Sequence, residues 1–148
     1  MVDDPRKCGD TMTFDTYSAE FRVEGPRLQF HDVTSLLGLD PSLVIDGGSG
    51  PRGRGVRDPV WVLDADKLQK LSGHSCQANL LADKLARLLA VLLPKKSIID
   101  EFPSSWRSYL WCGHFQKSFD GGPDFSSKLL VDLASLGVPL HLRTYHSR

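Results

Sequence analysis

Residues 109–116, Tyr-Leu-Trp-Cys-Gly-His-Phe-Gln, decide the fold class. Tyr109, Trp111 and Phe115 share one phase of a period-two pattern, and Leu110 and Cys112 share the other. The segment therefore reads as a strand inside a sheet, buried on both faces. Downstream, residues 126–136 set Leu129, Leu130, Leu133 and Leu136 on one helical face and stop at Gly137, after which residues 139–145 alternate as a closing strand. Upstream, residues 77–93 carry Leu81, Leu85, Leu88, Leu89 and Leu92 on one face and Asp83, Lys84 and Arg87 on another, the pattern of an amphipathic helix. Pro94 either ends that helix or opens a continuation through residue 102, since proline is tolerated at a first helical position.

Toward the N-terminus, residues 17–23 alternate Tyr17, Ala19, Phe21 and Val23 against Ser18, Glu20 and Arg22, a half-buried strand. Asp32 is placed to cap a short helix over residues 33–37, and Gly38 supplies its left-handed stop. Residues 60–64 read as another strand and residues 43–45 as a short one at an edge. The expected fold is α+β, a mixed or mainly antiparallel sheet of four to five strands with helices packed on one face. Residues 1–13 are polar and aperiodic and read as a flexible leader, followed by a single domain over residues 14–148.

Composition narrows the function classes. Apolar residues make up 41% and charged residues 24%, which is ordinary for a folded domain and unlike a disordered chain. Eighteen basic side chains balance eighteen acidic ones, so no global field draws in nucleic acid or an anionic membrane. Three cysteines, widely spaced and odd in number, do not form a secreted disulfide framework. With no apolar run for a signal peptide or a membrane span, the expected location is the cytoplasm.

Several constellations suggest chemistry. Residues 47–55, Gly-Gly-Ser-Gly-Pro-Arg-Gly-Arg-Gly, contain a formal G-x-G-x-x-G at Gly48, Gly50 and Gly53. A dinucleotide site needs a strand before it and a helix N-terminus after it, whereas Pro51 interrupts this turn and Asp58-Pro59 leads into a strand. What survives is a glycine-rich loop with Arg52, Arg54 and Arg57, next to Trp61, suited to an anion or an acidic partner. Two Cys/His pairs, His74 with Cys76 and Cys112 with His114, would together complete a tetrahedral metal site, although one intervening residue is not zinc-finger spacing. Cys112 with His114 could also share a strand face as nucleophile and base, but no nucleophile elbow supports this. The carboxylate pairs Asp64 with Asp66 and Asp100 with Glu101 read as capping and dipole residues.

Residues 17–25 (YSAEFRVEG), residues 32–41 (DVTSLLGLDP), the Arg/Gly loop and residues 60–63 (VWVL) resemble the mostly bacterial proteins of domain-of-unknown-function family 4279. The resemblance runs over about residues 17–145. It implies a strand, short helix, basic loop, tryptophan strand, leucine-rich helix and closing strand-helix-strand, and it implies no activity, no catalytic residue and no cofactor. The expected function is a non-enzymatic binding domain, immunity-like or regulatory, with another protein as partner. A metal-binding or metal-assisted role for the Cys/His pairs and single-stranded nucleic-acid binding through Arg52, Arg54, Arg57 and Trp61 are the rivals.

Overall fold

The computed structural model describes residues 15–49, 56–68, 80–118 and 121–146. The leader, Arg52, Arg54 and the His74/Cys76 pair lie outside them. The chain runs β1 (Thr16–Glu24), α1 (Phe30–Leu37), β2 (Leu43–Ile45), β3 (Gly48–Ser49), β4 (Val56–Arg57), β5 (Val60–Asp64), α2 (Leu81–Leu92), α3 (Lys96–Asp100), β6 (Arg107–Gln116), α4 (Ser127–Leu136) and β7 (Leu140–His146). Five strands form one mixed sheet in the order β2-β5-β1-β6-β7, while β3 and β4 pair separately. β1 is antiparallel to both β5 and β6, and β7 returns through α4 to lie parallel to β6. This is the expected α+β architecture.

One face of the sheet makes the core. Ala19, Phe21 and Val23 of β1, Trp61 and Leu63 of β5, and Leu110 and Cys112 of β6 are buried in one cluster with residues of all four helices. The α2 leucines anchor it: Leu81, Leu85, Leu88, Leu89 and Leu92 are all buried, each contributing roughly 1.5–3 kcal/mol by leaving water. The polar face expected for Lys84 and Arg87 is corrected, because both are buried. The 3-10 turn Ala65–Lys67 lies against α2 and supplies their acceptors: Lys84 Nζ donates to Asp66 Oδ1, and Arg87 Nη1 to the Ala65 carbonyl at 3.3 Å. Their long apolar stems cover core while the charged ends reach oxygen.

Helix ends follow local chemistry. Gly38 and Gly137 stop α1 and α4 at φ of 67° and 76°, where a side chain would be strained. Ser126 caps α4 by accepting from Leu129 N at 3.1 Å. Asp32 does not cap α1. The helix begins at Phe30, after the turn closed by Leu28 N on the Gly25 carbonyl, and Asp32 sits in its first turn, where its charge favours the dipole. Pro94 sits at the start of the 3-10 turn Leu93–Lys95, and the helix continues into α3. Asp64 caps the 65–67 turn through Asp66 N, and Asp100 pairs with Lys96 one helical turn away, so these acids are structural.

The expectation that residues 109–116 are buried on both faces holds for one face only. β6 lies between β1 and β7, as its apolar content requires, but Tyr109 and Trp111 are half-buried and Phe115 is exposed on the face away from the helices. No helix among the described residues is long and apolar enough to cross a membrane.

Candidate functional site

Two groups of side chains concentrate polar chemistry. The first surrounds His114, on the helix-covered face of β6. His114 stacks on Tyr17, its cross-strand partner, with ring centroids 4.9 Å apart. Its Nε2 lies 2.7 Å from Asp15 Oδ2. The other carboxylate oxygen of Asp15 accepts from Lys117 N at 2.8 Å and from Ser118 N and Oγ, both at 3.1 Å. The hydrogen bond from His114, then that from Lys117, holds the Asp15 carboxyl down at about 2, against the smaller opposing effect of burial. An ionised carboxylate only accepts, so His114 carries a proton on Nε2. Burial and the charges of Asp15 and Asp124 push the Tyr17 phenol up. A Cβ at Gly121 would overlap the Asp15 carboxylate and Ser118 Oγ, so only glycine fits that approach. The cluster is closed and self-satisfied: the side chains of His114 and Asp15 are each 6% exposed.

This geometry does not set Cys112 and His114 up as a nucleophile and its base. The two do share a face, as alternation requires. Cys112, however, is fully buried, and burial pushes its thiol up to about 12, assisted by the charge of Glu20. A thiol held protonated is a poor nucleophile. The Nε2 of His114 is already committed to Asp15. Among the described residues no group of three or more His, Cys, Asp and Glu side chains could hold a metal ion. Cys112 is expected to resist alkylation by iodoacetamide at neutral pH in the native protein and to react fully in denaturant. Mass-spectrometric location of the label checks this, and rapid native modification at Cys112 would contradict the burial.

The loop proposal also divides. Arg57 is exposed on β4, but Trp61 is fully buried and points into the core, where its Nε1 donates to Thr34 Oγ1 at 3.1 Å. Trp61 is therefore a packing residue and offers no stacking platform for a nucleic acid or other ligand. The two side chains do not form one surface.

The second group lies on the open face of β1, β6 and β7. Glu20 stands directly opposite Trp111, and Arg22 opposite Tyr109. Arg22 donates from Nε to Glu20 Oε2 at 2.7 Å, and its guanidinium lies 4.5 Å from the centre of the Trp111 ring. Tyr109 stands across the strands from Arg22, and its ring lies 4.9 Å from that of His141 on β7. Burial, then Glu24, pushes the Tyr109 phenol up, so it stays a neutral donor at physiological pH. Farther along, Phe115 and Tyr145 stack at 5.1 Å with both rings substantially exposed. Arg107 pairs with Glu24 at 3.0 Å and lies 3.7 Å from Asp58. Together Arg22, Glu24, Arg107, Tyr109, Trp111 and His141 border an open groove of about 440 Å³, which Arg143 also lines.

This face was only partly visible in the sequence. The sequence pattern places Tyr109 and Trp111 in the correct strand but on a covered surface, and it carries no local mark on Arg22, His141, Arg143 or Tyr145. The available signal was the matched period of aromatic residues in β6 and polar residues in β1, which acquires meaning only once the register sets Arg22 beside Trp111.

Compared with known proteins, the chain matches a family model, described as a domain of unknown function, over residues 15–147. No curated protein and no solved structure matches.

Proposed function

The chain belongs to that family, DUF4279, whose model spans nearly all of it, and from this premise we propose a non-enzymatic binding domain that recognises another protein through the open face of its sheet. The observation that carries the reading is the aromatic row Tyr109, Trp111, Phe115 and Tyr145, standing on the face that the helices leave uncovered. Tyrosine, tryptophan, phenylalanine and arginine are enriched at protein interfaces, the aromatics because they bury a large area for few rotatable bonds and arginine because its planar guanidinium both stacks and donates. Here several are held in place before binding: Arg22 is pinned by Glu20 against Trp111, and Tyr109 lies between Arg22 and His141. Preorganisation of this kind reduces the ordering cost of association.

Charge favours a protein over a phosphate backbone. Arg22 is compensated by Glu20, and Arg107 by Glu24 and Asp58, so most of the face has no net attraction for a polyanion. The proposed setting is the cytoplasm, where the free thiol of Cys112 stays reduced. Immunity or regulatory modules act in this way, by occupying a target surface.

The test is capture from native lysate with the immobilised protein and two variants. Trp111→Ala is expected to reduce recovery of the partner by tenfold or more, as loss of a central aromatic anchor costs about 2 kcal/mol or more. Leu130→Ser, on exposed α4, is expected to leave recovery unchanged. Equal recovery by wild type and Trp111→Ala, or steady substrate turnover by the isolated domain, would refute the reading.

A further inference from the structure

The recognition face ends at β7, and β7 has a second surface that the aromatic row does not explain. It is the outermost strand of the sheet, paired with β6 on one side and with no other strand among the described residues. The opposite edge strand, β2, spans only Leu43–Ile45, whereas β7 runs for the seven residues Leu140–His146. Leu110 N donates to the Pro139 carbonyl at 2.9 Å, which fixes the phase of the ladder. Backbone groups alternate in direction along a strand, so residues 141, 143 and 145 point their N–H and C=O toward β6. Those of Leu140, Leu142 and Thr144 point outward. This row is a template for one more strand.

The side chains state which strand. On the open face β7 presents His141, Arg143 and Tyr145, and on the helix-covered side it presents Leu140 and Leu142, which are 39% and 38% exposed. β7 contains no acidic residue. Arg143 is exposed, and no ion pair links it to a carboxylate among the described residues. Pairing β7 with a second copy of itself over its full length would set Arg143 against Arg143 and Leu142 against Thr144. Like charges directly opposite destabilise a sheet, and the leucines would gain no apolar neighbour.

We propose that the outer edge of β7 accepts an extended segment of the partner protein in which acidic residues alternate with apolar ones. The acids face His141 and Arg143, and the apolar side chains cover Leu140 and Leu142. Main-chain hydrogen bonds to Leu140, Leu142 and Thr144 supply affinity, and the alternation supplies specificity. This rests on the recognition reading above and extends its surface across the edge of the sheet.

The probe is a capped peptide of alternating valine and glutamate as long as β7, with a valine–lysine peptide for comparison. The valine–glutamate peptide is expected to bind and to slow amide exchange at Leu142 and Thr144, while the valine–lysine peptide does not. Leu142→Pro removes one outward N–H without touching the bonds to β6, and should weaken binding at least tenfold, whereas Leu142→Thr keeps the N–H and most of the affinity. Arg143→Glu should transfer preference to the valine–lysine peptide. Circular dichroism establishes that each variant is folded. Undetected binding by wild type, or binding indifferent to Leu142→Pro and Arg143→Glu, overturns the edge proposal. So does a wild-type dimer that Leu142→Pro dissociates, since the occupant is then a second copy. Binding lost in Trp111→Ala but kept in Leu142→Pro rejects the edge and leaves the face reading standing.

Discussion

Replacing Trp61 by alanine is expected to lower the unfolding free energy by about 3–5 kcal/mol, the cost of removing a large aromatic from a packed core. The side chain is fully buried, meets Phe21 edge-on at 6.4 Å and 78°, and donates to Thr34 of α1. Its loss opens a cavity between β1, β5 and α1, and it leaves a hydroxyl without its donor. Single domains are held by only about 5–15 kcal/mol, so a large share of the stability would go. Trp61→Phe keeps most of the ring volume and should cost distinctly less. Trp111→Ala, on the open face, should also be milder, because its ring is half-buried against solvent. The urea midpoints of the three variants give the comparison. If Trp61→Ala is no worse than Trp111→Ala, the division of the tryptophans between core and surface is incorrect.

The second large effect is expected at Asp15. Asp15→Ala removes the acceptor of four hydrogen bonds at once and leaves the buried His114 without its partner. A loss of about 2–4 kcal/mol at neutral pH follows from the cost of unsatisfied buried groups. The pH dependence identifies the cause. The carboxyl titrates at about 2 in the folded protein against 3.8 for the free group. A depressed folded value means that the unfolded chain binds the proton more readily, so stability is fully present above about pH 4 and drains away as pH falls toward 2. Other carboxylates contribute to acid unfolding as well, so the informative quantity is the difference between wild type and Asp15→Ala. That difference should shrink between pH 4 and pH 2. Urea midpoints that fall in parallel over this range would show that the Asp15 carboxylate is not the group responsible.

Much of the architecture was legible before any coordinates. The strand at residues 17–23, the stops at Gly38 and Gly137 and the Leu81–Leu92 stripe follow from local rules, because glycine tolerates the left-handed conformation and leucines at helical spacing share one face. At Asp32 the same local rule misleads. Aspartate is a good cap residue, but the turn after Gly25 starts the helix three residues earlier and leaves Asp32 inside it.

The candidate site was harder to read. Trp61 and Trp111 are both tryptophans in alternating strands, and alternation gives the period without saying which phase faces the helices. Pairing decides that: Trp61 is opposite Val23 on the covered face, whereas Trp111 is opposite Glu20 on the open one. Asp15 is separated by 99 residues from the histidine it holds, and no spacing rule reaches that far. Lys84 and Arg87 looked like a solvated helix face until the turn at residues 65–67 supplied oxygens to them.

By itself, then, the sequence determined the main strands and helices, their order and the α+β class, but not the short β3–β4 pair inside the glycine-rich loop, since the main elements depend on backbone conformation and on burial patterns within each segment. The tertiary structure alone decided which aromatic row is exposed, that His114 is locked to Asp15 and that β7 has no further strand beside it among the described residues. Those features depend on strand order and register, through which residues distant in the chain meet.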